Sequence, residues 1–160
     1  MKVRSALTCV IGCFALAAPA KAGTLGPRTA SSLVNAMATT QSSPACGNCP
    51  GKAFDTMIVS DGTEVPFSIP AGQVFVVTHF EWGSSGGVPS TLEGGLVSVD
   101  SGTSCAQFAL RSESIADASG NAAGQLALTD GIAVKSGKSL CLLLAGSGSG
   151  KLYGYFANDR

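Results

Sequence analysis

At 160 residues, with 45% hydrophobic and 12% charged side chains, the chain is long enough to bury one core and too apolar to be disordered by composition. Basic and acidic residues number 10 each, but Lys2, Arg4 and Lys21 lie in an N-terminal leader, so seven basic groups (ten less three) face 10 acidic ones in the remainder. That balance argues against a nucleic-acid partner, because phosphate binding needs a concentrated basic face.

Residues 1–22 read as a secretory signal. Lys2 and Arg4 form a basic start, Ala6 to Ala18 an apolar run, and Ala20-Lys21-Ala22 a small-x-small cleavage site before Gly23. The run is well short of the roughly 20 residues that cross a bilayer, so no transmembrane segment is expected. Val10-Ile11-Gly12-Cys13 has the look of a bacterial lipobox and offers the minor alternative of a lipid anchor on Cys13. The expected location is outside the cytoplasm of a bacterial cell: periplasm, cell surface or medium.

Loss of the leader removes Cys9 and Cys13 and leaves Cys46, Cys49, Cys105 and Cys141 in an oxidising compartment, where an even number argues for disulfides. Of the three connectivities, Cys46 with Cys49 and Cys105 with Cys141 is favoured. The first pair is local, and the second lies on two apolar strands that fit side by side. The second bridge closes a loop of about 37 residues, worth ~4 kcal/mol in the chain-entropy model.

Residues 23–52 form an N-terminal arm that ends in a Cys-x-x-Cys loop, Pro44-Ala45-Cys46-Gly47-Asn48-Cys49-Pro50-Gly51. Its first part, 23–44, is rich in Ser, Thr, Ala and Gly and reads as a linker, with a short helix over 31–38 capped by Ser31 or Ser32. A mobile arm, or one that docks on a neighbour, is the competing reading. The folded domain is placed at 53–160.

Within it the text is strands and turns. Strands are expected at 55–60, 64–69, 73–82, 92–100, 105–112, 125–128, 131–134, 139–145 and 151–157. Turn signals separate them, among them Asp61-Gly62, Ser101-Gly102, Ser119-Gly120-Asn121, Asp130-Gly131 and Ser136-Gly137. This pattern predicts an all-β, disulfide-stabilised antiparallel β-sandwich, jelly-roll-like, of about nine short strands. In the strand over 73–82, alternation puts Val74, Val76, Thr78, Phe80 and Trp82 on the core face, with Gln73, Phe75, Val77, His79 and Glu81 opposite. Leu140, Leu142 and Leu144 face one way with Cys141 and Leu143 opposite, so that strand belongs inside a sheet.

Cys46-Gly47-Asn48-Cys49 has redox-dithiol spacing, but Pro50 and Gly51 follow it where a helix would have to lower the thiol pKa, so it reads as structural. Four cysteines so spaced do not make a zinc site either, since one pair stands far apart. His79 and Glu81 share a strand face and read as a solvated pair rather than as ligands or an acid and base. Asp61, Asp100, Asp117 and Asp130 sit in turns, where such side chains bind their own backbone more often than calcium. Accordingly no catalytic residue, metal ligand or cofactor is assigned. Tyr153 and Tyr155, on one face of the last strand, are the candidate ligand contacts, with the Gly/Ser loops 83–90 and 146–150 beside them as candidate recognition loops.

The reading reached is a secreted, non-enzymatic binding module for an unknown extracellular ligand. Its first alternative is a structural subunit that associates with like subunits through the arm or an edge strand. A small secreted hydrolase is the second, limited by a single His in the whole chain.

Overall fold

In the computed structural model, which describes residues 35–40, 45–59 and 61–159, the chain is all-β. The strands are β1 Asn35–Thr39, β2 Lys52–Ala53, β3 Thr56–Ile58, β4 Glu64–Pro66, β5 Gln73–Ser85, β6 Leu92–Asp100, β7 Cys105–Ile115, β8 Ala122–Lys135, β9 Ser139–Leu144 and β10 Ser147–Asn158. Every pairing is antiparallel. One sheet runs β4-β3-β1-β10-β5-β8 and the other β2-β9-β6-β7.

Both sheets feed one core. Phe75, Val77, Phe80, Trp82 and Leu152 come from the six-stranded sheet, and Val97, Leu110, Leu140 and Leu142 from the four-stranded one. Phe75 sits edge-on to Phe67, ring centroids 5.3 Å apart, and tilted against Phe156 at 5.2 Å. The predicted turns at Asp61-Gly62, Ser101-Gly102, Ser119-Gly120-Asn121 and Ser136-Gly137 each hold their glycine at positive φ, the backbone such turns require.

Four expectations need correction. Residues 35–38, read above as part of a short helix, belong to β1, hydrogen-bonded to β10 on one side and β3 on the other. Ladders flank Met37 to Thr39 on both sides and Asn35 and Ala36 on one, and a short segment of ordinary helix propensity does not compete with that pairing. The rest of the expected helix, 31–34, lies outside the described residues.

Alternation along β5 also breaks. Val77 pairs with Gly154 and His79 with Tyr153, so Thr78 is an extra residue with no partner of its own, a β-bulge. The bulge inverts the faces before it, so Phe75 and Val77 join Phe80 and Trp82 in the shared core. Val74 and Val76, though buried, lie outside that cluster and share the opposite face with His79 and Glu81. Thr78 Oγ1 donates to the Tyr153 carbonyl at 3.2 Å, which ties the bulge to β10.

On the other side of β5 the partner residue jumps from Ala127 to Ile132. The segments 125–128 and 131–134 therefore belong to one strand, β8, interrupted around Asp130-Gly131, and not to two strands of a hairpin.

The fourth correction concerns the disulfides: Cys46 is bonded to Cys141 and Cys49 to Cys105, with Cα atoms 5.7 and 4.9 Å apart. Cys105 and Cys141 cannot meet, because β6 lies between β7 and β9. Two ladder spacings, roughly 9–10 Å, exceed what a disulfide spans. The Cys-x-x-Cys loop instead makes a tight turn, Cys49 N–H donating to the Cys46 carbonyl at 2.8 Å, and sends its two sulfurs to different strands.

Asp100 fastens this loop. Its carboxylate accepts from the Gly102 N–H at 2.8 Å and from the backbone and side-chain nitrogens of Asn48, both at 3.1 Å. Gly47 passes so close that a Cβ there would lie 1.9 Å from Asp100 Oδ2, and its φ of +48° also suits glycine. These donors, Gly102 first, hold the Asp100 carboxyl below the usual carboxylate range. Because the folded pKa lies below the unfolded one, the stability is present above the unfolded pKa and lost as pH falls through the folded pKa. Unfolding followed against pH should weaken below about pH 4, with a shallower acid limb in Asp100→Asn. Identical acid limbs in the two proteins would refute this role.

Candidate functional site on the outer face of the six-stranded sheet

β10 alternates without interruption, so Leu152 points into the core while Tyr153 and Tyr155 lie on the outer face of the sheet, both half-buried. His79 and Glu81, which follow the bulge at Thr78, keep their expected side and lie on that same face. Tyr153 stands directly opposite His79, while Glu81 lies opposite Lys151 on β10 and Gln125 on β8. Cross-strand neighbours at this spacing are in side-chain contact.

The contacts form a chain. Tyr153 OH donates to Glu81 Oε2 at 3.0 Å, and His79 Nε2 lies 3.3 Å from Glu81 Oε1. The His79 and Tyr153 rings meet edge to face with centroids 5.5 Å apart. One carboxylate thus orients both a phenol and an imidazole, and the His79 and Glu81 side chains remain 28% and 40% exposed. Burial, then the hydrogen bond and negative charge of Glu81, push the Tyr153 phenol above its ordinary pKa. The phenol therefore stays protonated at neutral pH, a hydrogen-bond donor already aimed at Glu81 and not a base.

Comparison with family models, with curated proteins and with solved structures finds no match for this chain.

The remaining sequence candidates are dispersed. Asp61 Oδ1 accepts from the Thr63 N–H at 2.8 Å, and Asp117 Oδ1 accepts from the Ser119 and Asn121 N–H groups, also at 2.8 Å. Each shapes its own turn. Among the described residues no three His, Cys, Asp or Glu side chains gather into a metal-ligand set. Of the two expected recognition loops, residues 83–85 belong instead to β5 and residues 147–150 to β10, which pair with each other there. The remainder of the first is braced by a hydrogen bond from the Gly87 N–H to the Gly120 carbonyl at 3.0 Å.

Sequence reasoning did not link Tyr153 to the His79 and Glu81 pair. Every member was visible as a residue, but β5 and β10 are far apart in sequence and their register is a tertiary fact. It also passed over Glu93, which is buried and accepts from Thr91 Oγ1 at 3.3 Å, and the exposed apolar residues Val88, Leu92 and Ile115.

Proposed function

We propose that this is an exported, disulfide-bonded jelly roll that acts by binding a neutral, hydroxyl-rich ligand such as a saccharide on the outer face of its six-stranded sheet. The jelly-roll reading rests on the pairing order. β1 pairs with β10, β2 with β9, β5 with β8 and β6 with β7, first with last and inward, as when a long two-stranded ribbon is rolled into two sheets. The short β3 and β4 extend one sheet beside β1. Export is supported by the leader and by the two disulfides, which persist in oxidising compartments. Among the described residues no helix is long and apolar enough to cross a membrane.

The observation that carries the binding reading is the Tyr153–Glu81–His79 chain on an otherwise regular sheet face. A half-exposed aromatic ring offers a flat apolar surface to the C–H face of a sugar ring, while the carboxylate and imidazole beside it reach hydroxyl groups. The Glu81 charge disfavours anionic ligands. A protonated, engaged phenol suits recognition better than proton abstraction, which favours binding over hydrolysis.

The test is calorimetric titration of a panel of neutral oligosaccharides into wild type, Tyr153→Ala and His79→Ala. A ligand of the wild type should lose at least about tenfold in affinity in each variant, the cost of one aromatic or charge-assisted contact. Circular dichroism should show both variants folded. No binding by the wild type, or binding indifferent to both substitutions, would sink the proposal.

A further inference from the structure

The two sheets leave four edges, and they differ. β4 has 3 residues and ends on Pro66, and β2 has 2 residues, so both are too short to template another chain. β8 is long but interrupted where its register on β5 jumps from Ala127 to Ile132. β7 is the fourth edge. Among the described residues it pairs with β6 alone, and from Leu110 to Ile115 the pairing is regular, matching Val97 back to Leu92.

On this stretch, Leu110-Arg111-Ser112-Glu113-Ser114-Ile115, the outward side chains carry opposite charges two positions apart. Arg111 and Glu113 form an ion pair within the chain, and the Arg111 side chain is 70% exposed. Ile115 and its cross-strand partner Leu92 are 68% and 63% exposed, an apolar pair at the sheet margin. Exposed apolar residues placed together on an open edge mark a contact surface.

We infer that β7 is a self-pairing edge, through which two copies of this chain join antiparallel about a two-fold axis at Ser112. A two-fold contact is self-complementary, so whatever residue i meets must meet residue i in return. Centred on Ser112, Arg111 of one copy stands opposite Glu113 of the other, twice. Moving the axis by one residue in either direction, the smallest step that keeps side chains on the same face, sets Glu113 against Glu113 or Arg111 against Arg111. Opposite charges directly across a ladder stabilise and like charges destabilise, so the charge pattern selects one register. Ile115 then lies at each end of the new ladder and loses exposure to the other copy, while Leu92 stays one strand behind it on β6. The surface belongs to the four-stranded sheet and leaves the face bearing Tyr153 uncovered, so this inference stands or falls apart from the saccharide reading.

Charge reversal tests it. Sedimentation equilibrium of the oxidised protein should show a concentration-dependent dimer. Arg111→Glu and Glu113→Arg should each raise its dissociation constant by at least about tenfold, since each puts two like-charge pairs across the axis. Mixing these two variants should restore a dimer, now a heterodimer, because one variant is acidic at both charged positions and the other basic at both, so every pair across the axis is again opposite in sign. Neither variant regains its internal ion pair in the mixture, so recovery reports the interface and not the fold. A wild type that stays monomeric to millimolar concentration, a dimer unaffected by either reversal, or a mixture that stays monomeric would each overturn the inference.

Discussion

Replacing Cys46 and Cys141 together by serine should lower folding stability by about 4–5 kcal/mol, most of what a small domain holds in reserve. The bond joins residues 95 apart in sequence, so cutting it frees the denatured chain to explore far more conformations. Urea unfolding of the double variant, with Cys49–Cys105 left intact, measures the loss. Breaking Cys49–Cys105 alone should cost about 4 kcal/mol, because its sequence separation of 56 closes a shorter loop. The two losses should not add, since the longer loop encloses the shorter. Non-reducing digestion supplies the qualitative arm: a peptide carrying Cys46 joined to one carrying Cys141 is expected. A closed Cys46–Cys49 ring would refute the arrangement and return the loop to the local pairing that its spacing suggests.

Trp82→Ala should cost about 3–5 kcal/mol, the range for deleting a buried aromatic side chain. The indole is 4% exposed and sits between glycines of both sheets. A Cβ on Gly95 would lie 2.6 Å from Trp82 Cγ, and one on Gly124 would lie 2.5 Å from Nε1. These neighbours cannot collapse into such a slot, because glycine has no side chain to move, so the cavity left by alanine persists. The indole N–H has no acceptor among the described residues. Trp82→Phe should therefore lose packing but no hydrogen bond and cost clearly less than the alanine variant, as read by thermal unfolding followed by far-ultraviolet circular dichroism. Equal losses for phenylalanine and alanine would show that the ring itself contributes little.

Much of this arrangement can be read from local pattern. β6 and β9 lie where alternation and turn residues put them, because period-two side chains and glycines at positive φ act over a few residues. By contrast, β10 begins at Ser147 and takes up most of the expected Gly/Ser loop 146–150. Leu140 and Leu142, expected on one face of an inner strand, are almost fully buried, and β9 lies between β2 and β6. The aromatic candidates Tyr153 and Tyr155 fall on the predicted common face, since nothing interrupts β10 itself.

What local pattern missed has one physical source. The Thr78 bulge is a property of how β5 meets β10, where one extra residue opposes a one-residue step in the partner, and no local rule places it. Its effect is large because a one-residue slip exchanges the faces of everything before it. Phe75 and Val77 thereby entered the core that Val74 and Val76 were expected to line. β1 follows the same logic: its residues have little character of their own, and two flanking strands decided their conformation.

The disulfide pairing divides the two kinds of information most clearly. Residue types alone established six cysteines, four of them beyond residue 22, and a β-rich chain punctuated by turns, because composition and short-range periodicity are written residue by residue. Which sulfur meets which depends on β6 lying between β7 and β9, and on Asp100 drawing the Cys46–Cys49 loop toward that sheet. Strand order and register are contacts between distant parts of the chain, chosen by the burial of both sheets together, and so the partners of Cys46, Cys49 and Tyr153 were decided only when the chain was folded.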